Sequence, residues 1–224
     1  MTSALFLKQT LAIVWKDVRS ELRTNQMWIS MGMFALLVLL IFNFAFDLRV
    51  DNVTAVAPGA LWIAFLFASM VGLGRTFASE LTSGMMDRLL MCPVDRKAVF
   101  FAKLLGNMLF ISAVQIVAVP VFVLLYNLPV ISWELVPVMV LGTLGIATIG
   151  TLFSAVASYT RAREVLLPLL VFPLITPVVI AVVKATQAIV SPVAGDPPWL
   201  GLIAAFDVIF LSISAITFRF VIEE

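Results

Sequence analysis

Apolar residues arrive in six long runs, at 28–46, 58–79, 103–126, 133–158, 165–190 and 199–221, and polar residues gather between them. A helix that spans a bilayer needs about 20 mostly apolar residues, and backbone amides cannot stay unpaired in hydrocarbon, so runs of this length predict helices. A transmembrane barrel would alternate apolar and polar positions over about ten residues, and these runs do not. The stretch before the first run has a different period. Leu7, Leu11, Val14, Val18 and Leu22 recur every three or four residues beside Phe6 and Trp15, with Lys8, Lys16, Asp17, Glu21 and Arg23 largely off that stripe. This pattern predicts an amphipathic helix over 1–25, apolar side down in the membrane interface or packed on a partner protein. The expected fold class is all-α integral membrane, six transmembrane helices preceded by an N-terminal interfacial helix.

Composition agrees. The 224 residues are 62% hydrophobic and only 12% charged, with a mean hydropathy of +1.14. An ordinary soluble domain has about twice that share of charge. The net charge of +1 says nothing about partners, but the distribution of charge does. Lys8, Lys16, Arg19 and Arg23 precede the first run; Arg75, Arg88, Arg96, Lys97 and Lys103 surround the second connection; Arg161 and Arg163 lie in the fourth; Arg219 lies near the end. These are twelve of the 14 basic residues, leaving Arg49 and Lys184 for the other side. The positive-inside rule then places both termini in the cytoplasm. A cleaved signal peptide is not expected, because the first run is too long for a signal core and Pro58 follows the small residues Ala55–Ala57 directly.

The longest connection, 80–102, is the expected cytoplasmic coupling segment. Gly84 marks a turn, Met85 to Met91 can form about two helical turns, and Pro93 stops them. Met85, Leu89 and the Met86/Leu90 pair give that short helix an apolar face, with Asp87 and Arg88 at its rim. Methionine-rich faces suit adaptable protein contacts; the alternative is a loop packed on the protein's own bundle. Within the runs, Gly150, Ser154 and Ser158 share one face, a spacing that lets helices approach closely and serves packing or, alternatively, a substrate route. Pro168, Pro173 and Pro177 predict a broken or re-entrant fifth span lining a gate, or else one kinked helix. Arg75 and Glu80 sit near the inner end of span two, close enough in sequence to pair. Asp207 lies roughly 12 Å below the outer end of span six. An intramembrane acid is a functional candidate by default, unless hydroxyls or water hold it.

The chain has no histidine, one cysteine (Cys92) and no phosphate-binding G-x-x-x-x-G-K-[ST] motif. Intrinsic catalysis, ATP binding by a P-loop, a Cys/His metal site and nucleic-acid binding are therefore not expected.

Ala57-Pro58-Gly59-Ala60-Leu61-Trp62, then Arg75-Thr76-Phe77, Glu80-Leu81, Gly84, Leu89-Leu90, Pro93 and Ala102-Lys103, and finally Phe172-Pro173-Leu174-Ile175-Thr176-Pro177, carry a resemblance across essentially the whole chain. The sequence resembles the CcmB family, heme exporter protein B of cytochrome c maturation, within the type-2 ABC exporter permeases. The resemblance implies a single permease domain over 1–224 in a bacterial inner membrane, two copies per complex, and a separate CcmA-like ATPase. It also implies CcmC-like and CcmD-like membrane proteins and a CcmE-like heme chaperone. By the same resemblance, Glu80, Gly84, Met85, Asp87, Arg88, Leu89, Leu90 and Pro93 form the ATPase-coupling site, while Arg75, Pro168, Pro173, Pro177 and Asp207 stay the candidates for a gate or translocation route that the residues themselves suggest. Heme is then a transported or handled ligand and not a tightly bound cofactor, since methionine, Cys92 and tyrosine replace histidine only weakly. Two other functions stay open: a mechanical transmitter that releases heme-loaded chaperone without moving heme, and an exporter of an unrelated drug, lipid or polysaccharide.

Overall fold

The computed structural model describes residues 3–47, 53–77, 95–128, 130, 132–158, 160, 162–191 and 198–221. These form seven helices: α1 (Ser3–Thr24), α2 (Gln26–Asp47), α3 (Val53–Thr76), α4 (Arg96–Tyr126), α5 (Leu135–Ser158), α6 (Arg163–Val190) and α7 (Trp199–Val221), with no strand among the described residues. The last six are each long and apolar enough to cross a membrane. The chain is a multi-pass membrane protein.

Four helices, α2, α3, α4 and α6, start before their apolar runs, α7 coincides with its run, and α5 starts two residues inside its run. α3 starts at Val53, five residues before the expected 58, and α4 at Arg96, seven before the expected 103. Apolar character ends at the edge of the hydrocarbon, but the helix ends where its backbone is capped. Asp95 caps α4, its side chain accepting from the Lys97 amide at 2.9 Å. Asn127 closes α4 in the left-handed region at φ 50°, which asparagine tolerates. Asn25, at φ 55°, makes the corner between α1 and α2. There Glu21 Oε1 accepts from the amides of Met27 and Trp28 at 2.6 and 3.4 Å, so the end of α1 caps the start of α2.

α3 and α5 form the centre. Two-thirds of the most apolar stretch of each (67%) is buried, against 22% in α2 and 17% in α7, which face outward. α5 contacts α3, α4, α6 and α7. Its small residues make that density possible. A side chain at Gly150 would collide with Leu73 of α3, where Ser154 also donates to the Leu73 carbonyl; a side chain at Gly142 would collide with Trp62. Two of the three small residues read as one face therefore serve packing, while Ser158 donates within its own helix, to Ala155, at 2.6 Å.

α6 corrects one reading. It is a single helix through Pro168, Pro173 and Pro177, neither broken nor re-entrant. Proline removes one hydrogen bond and crowds the preceding turn, yet buried Leu167, Val171, Ile175, Val178 and Val182 keep a continuous apolar face against the bundle. Packing of that face outweighs the lost backbone bonds.

Trp62 is fully buried and donates from Nε1 to Thr186 Oγ1 at 2.8 Å, tying α3 to α6. Trp62→Ala is expected to cost about 3–5 kcal/mol through the cavity it opens, and Trp62→Phe about 1 kcal/mol through the lost bond. Thermal unfolding of the detergent-solubilised protein measures both; equal midpoints for the two variants would contradict a packed centre at this tryptophan.

Candidate functional site

α4 carries Lys103 and Asn107 one turn apart on one face, and Gln115 two turns further on and about a third of a turn round from Lys103; all three are buried. Each meets a polar group on another helix. Lys103 Nζ lies 2.8 Å from Asp17 Oδ2 of α1 and 5.7 Å from the centroid of the Phe77 ring, just past α3. Asn107 accepts from Thr76 Oγ1 of α3 at Oδ1 and donates from Nδ2 to Thr151 Oγ1 of α5, both at 2.8 Å. Gln115 accepts from Thr143 Oγ1 of α5 at 3.0 Å, while its Nε2 has no partner. A polar seam thus runs up α4 and binds α1, α3 and α5 to it.

Asp207 on α7 is the opposite case. It is 2% exposed, and neither carboxylate oxygen has a hydrogen-bond partner. It faces α5 and α6: a Cβ built on Gly145 would sit 2.8 Å from Asp207 Oδ1 and 2.9 Å from Val178 Cγ1. Gly145 leaves the room that the carboxylate fills. The Thr148 hydroxyl, one turn further along α5, is also buried without a partner. The alternative in which hydroxyls hold Asp207 is not what the structure contains.

The other expected site residues are dispersed. Arg75 is exposed in the last turn of α3; Pro168 and Pro177 are half-buried and Pro173 is exposed along α6. Val178, which follows Pro177, reaches the Asp207 junction. Glu80, Gly84, Met85, Asp87, Arg88, Leu89, Leu90 and Pro93 lie outside the described residues, as does any pairing of Arg75 with Glu80. The α4 seam was missed in the sequence. Lys103 was counted as a loop charge at a span edge, although its four-residue spacing to Asn107 within a continuing helix was a usable signal. No cluster of three side chains able to ligate a metal occurs among the described residues.

The family profile described as CcmB protein matches residues 8–223. The chain belongs to the CcmB family. It is 30% identical over 204 residues to heme exporter protein B of Bradyrhizobium diazoefficiens, an alignment covering 90% of this chain and 91% of the relative. It is 29% identical over 171 residues to the protein of that name in Rhodobacter capsulatus, covering 75% and 78% of the two chains. For the Haemophilus influenzae protein the identity is 28% over 179 residues, covering 80% and 81%.

Asp207→Asn keeps the side chain's shape and removes its charge. Since the carboxylate has no hydrogen bond to lose, the thermal midpoint is expected not to fall. A loss of stability beyond about 1 kcal/mol would mean that a partner holds the carboxylate.

Proposed function

We propose that the chain is the membrane (permease) subunit of an ABC exporter complex for cytochrome c maturation. ATP hydrolysed on a separate CcmA-like subunit drives heme export, or heme delivery to a chaperone on the outer face of the bacterial inner membrane. The observation that carries this reading is the match to CcmB over 8–223, with relatives named heme exporter protein B aligned along most of their length. Two copies of the chain, CcmC-like and CcmD-like membrane proteins, and a CcmE-like chaperone complete the proposed assembly. The chain itself performs no catalysis.

One observation favours a second version. The sequence contains no histidine to ligate heme iron, and Asn107 and Gln115 of the α4 seam are bonded to threonines of α3 and α5. On that version the chain is a mechanical transmitter whose movement releases loaded chaperone, and heme does not cross it. Heme loading of the chaperone that persists with an inactive ATPase supports the transmitter; loading that stops supports export.

Both termini are placed in the cytoplasm, following the twelve basic residues on that side. α1 lies in the inner interface. Support for that placement comes from its exposed stripe of Leu7, Leu11, Trp15 and Leu22, while Thr10, Ile13 and Val14 are buried. Reporter fusions after Tyr126 and after Val190 are expected on the outer side, and one after Pro93 in the cytoplasm. A cytoplasmic signal after Tyr126 would overturn the six-span topology.

A permease without a P-loop receives motion through cytoplasmic surface, and 80–93 is the segment proposed to receive it. Burying the Met85/Leu89 face excludes on the order of 200 Å² of apolar area, an upper contribution near ~5 kcal/mol before the costs of association. Leu89→Glu places an unpartnered carboxylate in that contact and is expected to abolish most ATPase recovery on affinity purification through this subunit. Arg88→Ala, at the rim, is expected to do less. Undiminished recovery with Leu89→Glu rules out this loop as the docking site.

A further inference from the structure

α1 divides its surface three ways. It is one uninterrupted helix from Ser3 to Thr24. At about 3.6 residues per turn, exposed Leu7, Leu11, Trp15 and Leu22 occupy roughly 80° of its circumference, and exposed Lys8, Arg19 and Arg23 the roughly 60° next to it. Both acids of the helix lie on the third side, toward the bundle. Asp17 Oδ2 lies 2.8 Å from Lys103 Nζ of α4, and Glu21 Oε1 accepts from the Met27 and Trp28 amides of α2. Lys16, whose Nζ lies 3.1 Å from Asp17 Oδ1, is turned to that acid and does not belong to the rim. The outward surface is thus an apolar strip bordered by a basic rim, with no acid in either. Its level is set from both ends. Only Asn25 separates α1 from Gln26, where the first candidate span begins. Phe6 meets Phe101, in the second turn of α4, edge-on at 6.1 Å. α1 therefore lies level with the starts of two spans.

We propose that the rim formed by Lys8, Arg19 and Arg23 is a docking surface for the headgroups of anionic phospholipids. This deepens the reading of α1 as an interfacial helix and rests on it. Such a helix sinks its apolar side about 5–10 Å into the boundary between headgroups and acyl chains. The rim borders the apolar strip, so it stands at the depth of the phosphates. Long aliphatic stems let lysine and arginine reach that level while their carbons stay on the apolar side. The guanidinium forks of Arg19 and Arg23 each match two phosphate oxygens at once. A zwitterionic headgroup offers the same phosphate but cancels its charge with a cation of its own; phosphatidylglycerol does not. Each basic side chain near an anionic surface contributes roughly fivefold in binding, so three give on the order of a hundredfold. An acidic protein surface also complements the rim. The adjoining strip favours lipid, because it continues from Leu7 to Leu22 along a helix that lies level with the starts of two spans.

The test uses the full chain in nanodiscs made of phosphatidylcholine and phosphatidylglycerol in equal parts. It reads the enrichment of phosphatidylglycerol among the lipids that stay bound after mild detergent extraction. The native chain is expected to enrich phosphatidylglycerol several-fold. Lys8→Gln combined with Arg19→Gln and Arg23→Gln is expected to bring the bound lipid back to about the ratio supplied. The charge-keeping set Lys8→Arg, Arg19→Lys and Arg23→Lys is expected to hold the enrichment, and Lys184→Gln, at an exposed lysine of α6, to leave it unchanged. Undiminished enrichment in the triple glutamine variant overturns the proposal. So does an equal fall in Lys184→Gln, which charge anywhere on the chain gives. If the triple variant does not accumulate, Arg19→Gln and Arg23→Gln decide singly by the same criterion. In complexes purified from native membranes, loss of a co-purifying protein from the triple variant with lipid enrichment intact assigns the rim to a protein and overturns the lipid reading. Failure of the interfacial reading shows separately. Nitroxide-labelled phospholipid quenches the share of tryptophan fluorescence that Trp15→Phe removes when α1 lies in the interface, whichever headgroup is enriched; an unquenched Trp15 share overturns that reading and the proposal with it.

Discussion

A polar group inside a bilayer is costly without a partner in the protein, and much of the arrangement of the bundle follows from that cost. Helix formation answers it for the backbone. For side chains the answer lies on α4, with Lys103, Asn107 and Gln115. Each of the three turns toward a different neighbour, Asp17, the Thr76 and Thr151 pair, and Thr143. Packing between helices in lipid has little hydrophobic drive of its own, so these bonds, with the close approaches at Gly142 and Gly150, decide which helices are neighbours. α3 and α5 become central because they supply the hydroxyls and the small residues.

Much of this was legible in the sequence, for a physical reason. Hydrocarbon thickness fixes run length, so six runs gave six helices long enough to cross. The ends were less legible. Arg96 and Lys97 look like loop residues, yet Asp95 starts the helix before them, since a helix continues through the headgroup region wherever a cap allows it. The prolines of α6 misled more seriously. Local propensity counts three lost hydrogen bonds, but propensity yields to packing when a helix buries a face as continuous as Leu167–Val171–Ile175–Val178–Val182.

The candidate site was legible in one place and not in another. Asp207 stood out because a lone acid in an apolar run is conspicuous, and the structure keeps it buried without a partner. Lys103 did not, because a lysine at the edge of a run reads as a membrane-surface charge. Its burial depends on Asp17, 86 residues away in sequence, and no local pattern reports a pairing of that range. The apolar stripe read on α1 was similarly mixed: Leu7, Leu11 and Leu22 face outward, while Val14 packs inward.

The two charged sites then differ in what they can do. The Asp17–Lys103 contact is satisfied, and a paired charge shielded from water resists separation. Asp207 and Thr148 are unsatisfied, so a rearrangement that offers them a partner gains free energy in proportion to the bond formed. The element beside them is α6, which lacks backbone bonds at Pro173 and Pro177 and touches the junction through Val178. On the proposed function, a satisfied contact between α1 and α4 and an unsatisfied junction between α5, α6 and α7 form a combination suited to mechanical transmission. On the proposed function, α5 connects the two, since it bonds to α4 through Thr143 and Thr151 and faces Asp207 through Gly145.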